Sequence, residues 1–538
     1  SEEEGVVDVQ FEVRKGPLYF IRQIDVAGNT RTVDSVIRRE ITIVEGQLYS
    51  QRSILLTRAR LQGLGFFEEV DVKMEPTDDP DQLDLEVSVV ERPTGSFSFG
   101  AGFSSQDKFV ATGSLSENNL FGRGYRANAT VDFGGNTQRF FLSFSDPRAF
   151  GSEFSLGLTG FSTDLAYDSF RQQQVGVDVV LGHTLSEDNR TRGFLRYSFA
   201  NRTIEQDTNV NAAAVIFREL FQKGSTTSMT GLSVSMDTRN DRLSPTHGFQ
   251  AAASFEGAGL FGFAQFLRIE ARATWYLGAP RWMFERSTFV VGGRIGYALP
   301  FNTIFDYGLP SAPDVPTDGT LAALDQIDTD ITLPLSERYF LGGLGQFQLR
   351  GFKARSVGPR RSIVYQGASG LFLPTGTIEV VRGPDGKIII GESTPIAPGN
   401  YLSTACADVG GNVVNPDGSD LVQRDQCNFI TDKKVKDFAN LDQTDVIGGN
   451  KFMSATLEYR FPISETLGLQ GVAFFDMGNA FAEGENLFDV TEWRYGVGGG
   501  IQWFSPFGPL AVVLGFPLDR LSVDDSPVFE FSVGGGAF

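Results

Sequence analysis

The sequence predicts an all-β transmembrane barrel of 16 antiparallel strands, preceded by a small α+β domain of order β-α-α-β-β. Three observations predict it. From Gly95 onward, apolar and polar side chains alternate in segments of about ten residues separated by turn signals. Glycine and phenylalanine supply 62 and 48 of the 538 residues, while the mean hydropathy of −0.11 stays near neutral. No apolar run approaches the roughly 18–20 residues of a membrane helix, so a membrane would be crossed by strands. On composition alone an array of soluble β-sandwiches fits equally well, and the connections between strands have to decide.

The same composition limits the chemistry. With 46 Lys and Arg against 66 Asp and Glu the formal charge is −20, which would repel a nucleic acid. Only two histidines, His183 and His247, are present, and neither lies in a metal or acid-base pattern; His247 sits in the turn-like Pro245-Thr246-His247-Gly248. No nucleotide-binding motif is visible, and no metal or cofactor is expected. Ser1-Glu2-Glu3-Glu4 is not a signal peptide, so further sequence is expected before Ser1.

Residues 1–92 read differently from the rest. Val7, Val9, Phe11 and Val13 alternate as a strand with no partner in the adjoining unit, so residues 1–15 are read as the remnant of a preceding domain and its linker. Residues 16–92 form the next domain. Its elements are a strand over Phe20 to Val26, a Gly28-Asn29 turn, a short helix over Val33 to Glu40, and a longer one over Ser50 to Leu64. In the longer helix Ile54, Leu55, Ala59 and Leu61 fall near helical spacing, and strands at Val70 to Met74 and Leu83 to Val90 close the unit. That order, with Ile24-Asp25-Val26-Ala27-Gly28-Asn29 and Gly63-Leu64-Gly65-Phe66-Phe67-Glu68-Glu69-Val70, resembles a POTRA domain. The resemblance implies a periplasmic module whose exposed sheet edge receives extended client chains.

Residues 93–538 are read as the barrel. Eleven strands are predicted near 96–104, 107–116, 124–134, 138–146, 153–163, 173–184, 191–201, 227–238, 248–258, 266–276 and 287–298. Five more lie near 450–461, 467–478, 493–504, 509–517 and 528–538, making an even total. Every second connection is a short turn, as Asn119-Leu120-Phe121-Gly122-Arg123 and Ser505-Pro506-Phe507-Gly508-Pro509 illustrate, and all the long connections fall in the other set. Sandwiches would not sort loops in this way, and the membrane barrel is preferred. Two long external loops are 202–226, with a helical pattern over Ala213 to Phe221, and 299–449. The second holds Cys406 and Cys427, most simply read as a disulfide in an exposed extracytoplasmic loop.

That loop also holds Leu349-Arg350-Gly351-Phe352, where glycine permits a sharp turn, phenylalanine packs, and arginine offers a planar fork of donors. Together with Glu337-Arg338-Tyr339-Phe340-Leu341-Gly342-Gly343, Gly358-Pro359, Phe474-Phe475-Asp476-Met477-Gly478-Asn479, Gln502-Trp503-Phe504-Ser505-Pro506-Phe507-Gly508-Pro509-Leu510 and the terminal Phe538, it resembles the BamA family of outer-membrane barrel-assembly proteins. The usual valine is Leu349 here, with the same apolar role. The resemblance implies that the loop tip folds into the lumen and that Arg350 pairs with Glu458 and Asp476. Parity supports the first partner independently: Leu457, Tyr459, Phe461 and Ile463 share a lipid-facing register, which turns Glu458 inward. For Asp476 the inward direction rests on the resemblance.

The resemblance further implies no enzyme activity, an outer-membrane location with POTRA in the periplasm, and unfolded outer-membrane clients, accessory lipoproteins and lipid as partners. The expected mechanism is strand templating at a seam between the first and last strands, with the arginine site on a wall opposite that seam. The seam residues are Phe97, Phe99, Gly100 and Gly102 in the first, and Phe529, Phe531, Gly534, Gly535, Gly536 and Phe538 in the last. Phe538 lies an odd step from Phe529, so a bulge in the glycine run would be needed to restore its direction. A TamA-like assembly factor or a two-partner secretion translocator is the alternative, though neither is expected to carry so long a cysteine-bearing loop. A porin would not need the POTRA domain.

Overall fold

Strict alternation commits a segment to a strand because a period of two places every apolar side chain on one face. The computed structural model describes residues 18–301 apart from 105–107, 167–169, 206–211, 214–224, 243, 263, 281 and 284–285; residues 333–367 apart from 345–348; residues 370–372, 378–382 and 388–392; and residues 444–533 apart from 465 and 506–507.

In the small domain, β1 (Phe20–Ala27), β2 (Phe67–Pro76) and β3 (Gln82–Glu91) form a sheet with β3 in the middle, parallel to β1 and antiparallel to β2. The parallel pair needs a long crossover, and this one contains α1 (Asp34–Arg38) and α2 (Gln51–Gly63). Helix α2 starts at Ser50, whose side chain accepts from the Ser53 amide at 3.4 Å. Its Ile54, Thr57 and Leu61, at i, i+3 and i+7, are buried. Ile54 and Leu61 join a core containing Ile21, Ile37, Leu85 and Val87. Leu55, grouped with that face by its spacing, is instead exposed, because one position past Ile54 turns it about 100° away. Gly28 has φ +87, and a Cβ there would lie 2.0 Å from the Val89 carbonyl oxygen, so only glycine fits.

The Glu91 carboxylate closes the 28–33 turn by accepting from the amides of Thr30, Arg31 and Thr32 at 3.1, 2.8 and 2.6 Å and from the Thr30 hydroxyl at 2.8 Å. The same compact unit includes residues 115–128. Within it, Asn119 donates to the Thr32 hydroxyl at 2.8 Å, and the Val33 amide donates to the Gly122 carbonyl at 2.8 Å.

The wall strands are β4 (Gly95–Ser104), β5 (Lys108–Leu120), β6 (Tyr125–Gly134), β7 (Thr137–Asp146), β8 (Ser155–Ala166), β9 (Arg171–Thr184), β10 (Thr191–Glu205) and β11 (Ser225–Asp237). They continue with β12 (Gly248–Gly262), β13 (Phe266–Gly278), β14 (Thr288–Pro300), β15 (Lys451–Ser464), β16 (Leu469–Phe481), β17 (Arg494–Ser505), β18 (Gly508–Pro517) and β19 (Val528–Val533). Each is bonded to the next in a single 16-stranded sheet with β4 and β19 at its ends. On β13, Ile269 and Trp275 face outward, while Arg268 and Glu270 bond groups of the long loop inside. No helix among the described residues is long and apolar enough to cross a membrane.

The long connection between β14 and β15 contains a strand, Arg360–Gly367, that pairs with Ala212–Ala213 and with Thr444–Val446. Ala213 is therefore extended, and the helix predicted from it does not begin there. Edge pairing with another loop overrides the local pattern. The rest of that predicted helix, Cys406, Cys427, Gly534, Gly535, Gly536 and Phe538 lie outside the described residues.

Candidate functional site

The loop tip is built by a chain reversal. The Leu341 and Val357 backbones bond each other, the Gly343 amide donates to the Phe352 carbonyl at 2.9 Å, and Gly351 turns at φ +94. These bonds place Arg350 against the inner faces of β15, β16 and β17. It is 2% exposed. Its Nε and Nη2 reach the two oxygens of Asp476 at 2.7 and 2.8 Å, and its own amide adds a bond to Oδ2 at 2.9 Å. Nη1 donates to Glu458, and Nη2 also donates to the Thr456 hydroxyl at 2.9 Å. The guanidinium carbon stands 3.9 Å from the Phe474 ring centroid.

The wall is shaped to receive this group. Thr456, Asp476 and Gly496 stand opposite one another on β15, β16 and β17. Thr456 donates to Asp476, and Arg460 donates to the second oxygen of Glu458, so two arginines balance two carboxylates in a site largely shielded from water. A Cβ on Gly496 would lie 1.9 Å from the Arg350 carbonyl oxygen, and one on Gly515 would lie 2.5 Å from the Gly351 amide. The backbone of the tip therefore rests on bare strand backbone. Such a group holds direction as well as charge, because a fork of donors meets a planar carboxylate in one orientation.

The other residues singled out from sequence lie in two places. Phe352 is buried, with the Arg494 guanidinium 4.8 Å from its ring centroid. Phe97 and Phe99 project outward from β4, Gly100 has open space beside it, and Gly102 lies on the same strand. Phe529 is exposed on β19, and its ring centroid lies 5.9 Å from that of Phe531.

Sequence reasoning missed a second anchor of reversed charge. Glu337, just ahead of the tip, is buried and accepts from Arg202 on β10 and from Arg268 on β13, the latter at 2.8 Å, with the Thr227 hydroxyl of β11 at 3.4 Å. The loop thus offers an acid to wall arginines on one side and an arginine to wall acids on the other. Arg494 also went unassigned; it bonds Asp519 at 2.7 Å, and Asp524, in the connection between β18 and β19. A signal for the receiving strip was present in Gly496, Gly498 and Gly500, spaced by two along β17, which leave one face without side chains.

The Omp85 superfamily domain matches residues 119–536, and the surface antigen variable number repeat, or POTRA, matches residues 19–92. The chain belongs to the Omp85 superfamily. It is 26% identical over 541 residues to the outer membrane protein assembly factor BamA of Nitratidesulfovibrio vulgaris, covering 99% of this chain and 53% of that protein. With the BamA of Neisseria meningitidis the identity is 22% over 552 residues, covering 99% and 58%. The chain spans about half the length of these curated relatives. In fold it is similar to the crystal structure of BamA from Haemophilus ducreyi lacking POTRA domains 1–3, with a TM-score of 0.66 at 19% identity, covering 96% of this chain and 84% of that one. CdiB from Acinetobacter baumannii gives a TM-score of 0.52 at 11% identity, covering 96% and 73%. The molecule is an outer-membrane barrel whose POTRA domain lies in the periplasm.

Proposed function

We propose that the chain is the barrel and adjoining POTRA domain of an outer-membrane protein assembly factor that folds and inserts client β-barrel proteins. The single observation that carries the reading is the pairing order of the sheet. Among the described residues β4 and β19 stand at its two ends, each with one strand neighbour. An unpaired strand edge presents a row of N–H and C=O groups that an extended segment completes irrespective of its side chains. Client strands add there, between the surfaces carrying Phe97 and Phe99 on one side and Phe529 and Phe531 on the other. The POTRA sheet offers unfolded clients a second edge on the periplasmic side, where accessory lipoproteins also dock.

Arg350, held by Glu458 and Asp476, acts as the lock that keeps the β15–β17 wall rigid while the seam moves. The work comes from client folding and local distortion of the lipid, with no nucleotide and no catalysed reaction. Two engineered cysteines that join β4 to β19 test the mechanism. The oxidised protein is expected to keep its fold and lose assembly of unrelated client barrels in proteoliposomes, and reduction is expected to restore it. Undiminished assembly by the crosslinked form would exclude the seam. Activity confined to one cognate secreted protein would support the translocator alternative.

A further inference from the structure

We propose that Arg494 is a positioning residue through which the seated loop tip holds the connection between β18 and β19, and with it the start of the last strand; for its functional consequence the inference rests on the assembly reading above. Arg494 opens β17 and is 6% exposed. Its guanidinium serves the connection, residues 518–527. Nε donates to Asp519 Oδ2 at 2.7 Å, and Nη2 donates to the Asp519 carbonyl at 3.3 Å and to the Asp524 carboxylate. Both acids also order backbone around them: Asp519 accepts from the Tyr495 amide at 3.1 Å, and Asp524 from the Leu521 amide at 2.7 Å. The same guanidinium stands over the ring of Phe352, the buried aromatic of the tip, 4.8 Å from its centroid.

An arginine that only capped a turn would need no aromatic over it. Here the tip keeps water from the guanidinium, and charged hydrogen bonds strengthen where water does not compete for them. Two further contacts run from the tip to the same region. Lys353 pairs with Asp525 of the connection, and Gly351 rests on Gly515, whose strand partner is Val528 at the start of β19. Ser356 and Gly358, just past the tip, line one small cavity with Arg494 and Leu521. The Lys353 pair is exposed and contributes little, so the buried group at Arg494 carries the coupling. Withdrawal of the tip would admit water to Arg494, screen its two acids and loosen the connection from which β19 descends.

The test is hydrogen exchange on the full chain in lipid nanodiscs, read as a double-variant cycle. Phe352→Leu keeps an apolar tip and removes the ring, and Arg494→Lys keeps the charge and removes the fork. Each alone is expected to make the amides of residues 518–528 exchange about tenfold faster than in the unsubstituted protein, while β15 and β16 keep their protection. Adding Phe352→Leu to Arg494→Lys should change that exchange by less than about twofold, because the ring has already lost its partner. Where Arg494→Lys does not fold, Asp524→Asn takes its place in the cycle, again with a combined effect well short of the product of the two. Unchanged exchange over 518–528 in Phe352→Leu overturns the proposal. Effects that multiply in the double variant overturn it too, since the ring and the arginine would then act separately. So does loss of protection in β15 and β16 together with the connection, which would mark a purely structural role for the ring. If the connection loosens as expected but the unsubstituted protein assembles no client, the assembly reading fails while the coupling stands.

Discussion

Arg350 places four of its N–H directions on three wall side chains, and removing it would strand the buried Asp476 carboxylate and leave Glu458 with Arg460 alone. Arg350→Ala is expected to destabilise the barrel by about 3–5 kcal/mol, measured as a lower unfolding midpoint in detergent. Arg350→Lys should recover little of this, because a single ammonium cannot span Asp476, Glu458 and Thr456 together. Glu91 gives the small domain a pH signature. Partial burial would raise its carboxyl, but hydrogen bonds from Thr32, Thr30 and Arg31 outweigh it and hold the pKa at about 2, below the ordinary 4.5. A depressed folded value means the contribution is fully present above pH 4.5 and is lost as pH falls toward about 2. Glu91→Gln should remove about 1–2 kcal/mol of stability near neutral pH, after allowance for solvent screening, and flatten the acid limb of a pH-stability curve.

At the scale of elements, β17 is the strand that admits the loop. Gly496→Ala would place a methyl group on the Arg350 carbonyl, so the tip is expected to lift from the wall. Faster proteolysis between residues 333 and 360, with the wall strands still protected, is the measurement that checks it. Glu337→Gln weakens the opposite anchor by leaving Arg202 and Arg268 without a charged partner in the loop. Among the described residues the Glu337 and Arg350 sites share no side-chain partner, so the stability losses of Glu337→Gln and Arg350→Ala are expected to add to within about 0.5 kcal/mol in the double variant. The tip reaches β18 at Gly515 as well as β15 to β17, and β18 pairs with β19, which corrects the expectation from sequence that the arginine site lies on a wall opposite the seam. The bare backbone at Gly496 and Gly515 lets the tip lie that close to the last strands.

For the whole molecule, the arrangement is a sheet whose two end strands border the seam and whose strands β15 to β18 are met from inside by one loop. If that clamp controls the seam, Arg350→Ala should lower client assembly even at temperatures where the barrel is folded, and the same variant crosslinked from β4 to β19 should behave like the crosslinked parent. Assembly by the folded but uncrosslinked variant at the parental rate would separate the lock from the mechanism.

Period-two alternation over sixteen segments determined the barrel, because each strand must offer lipid one face and the lumen the other, and a chain with that pattern has no other way to satisfy its backbone in a membrane. The same parity turned Glu458 inward. It could not decide Asp476, whose alternate neighbours Val472 and Phe474 are apolar; these pack under the loop, so the lumen face there is not uniformly polar. Nor could it find the partners of Glu337, since those contacts join residues up to 135 positions apart. Sequence determines which face a side chain occupies, a local property of the pleat. Only the tertiary structure decides what a loop folded into the lumen will meet there, because that depends on register across several strands and on where glycine leaves room.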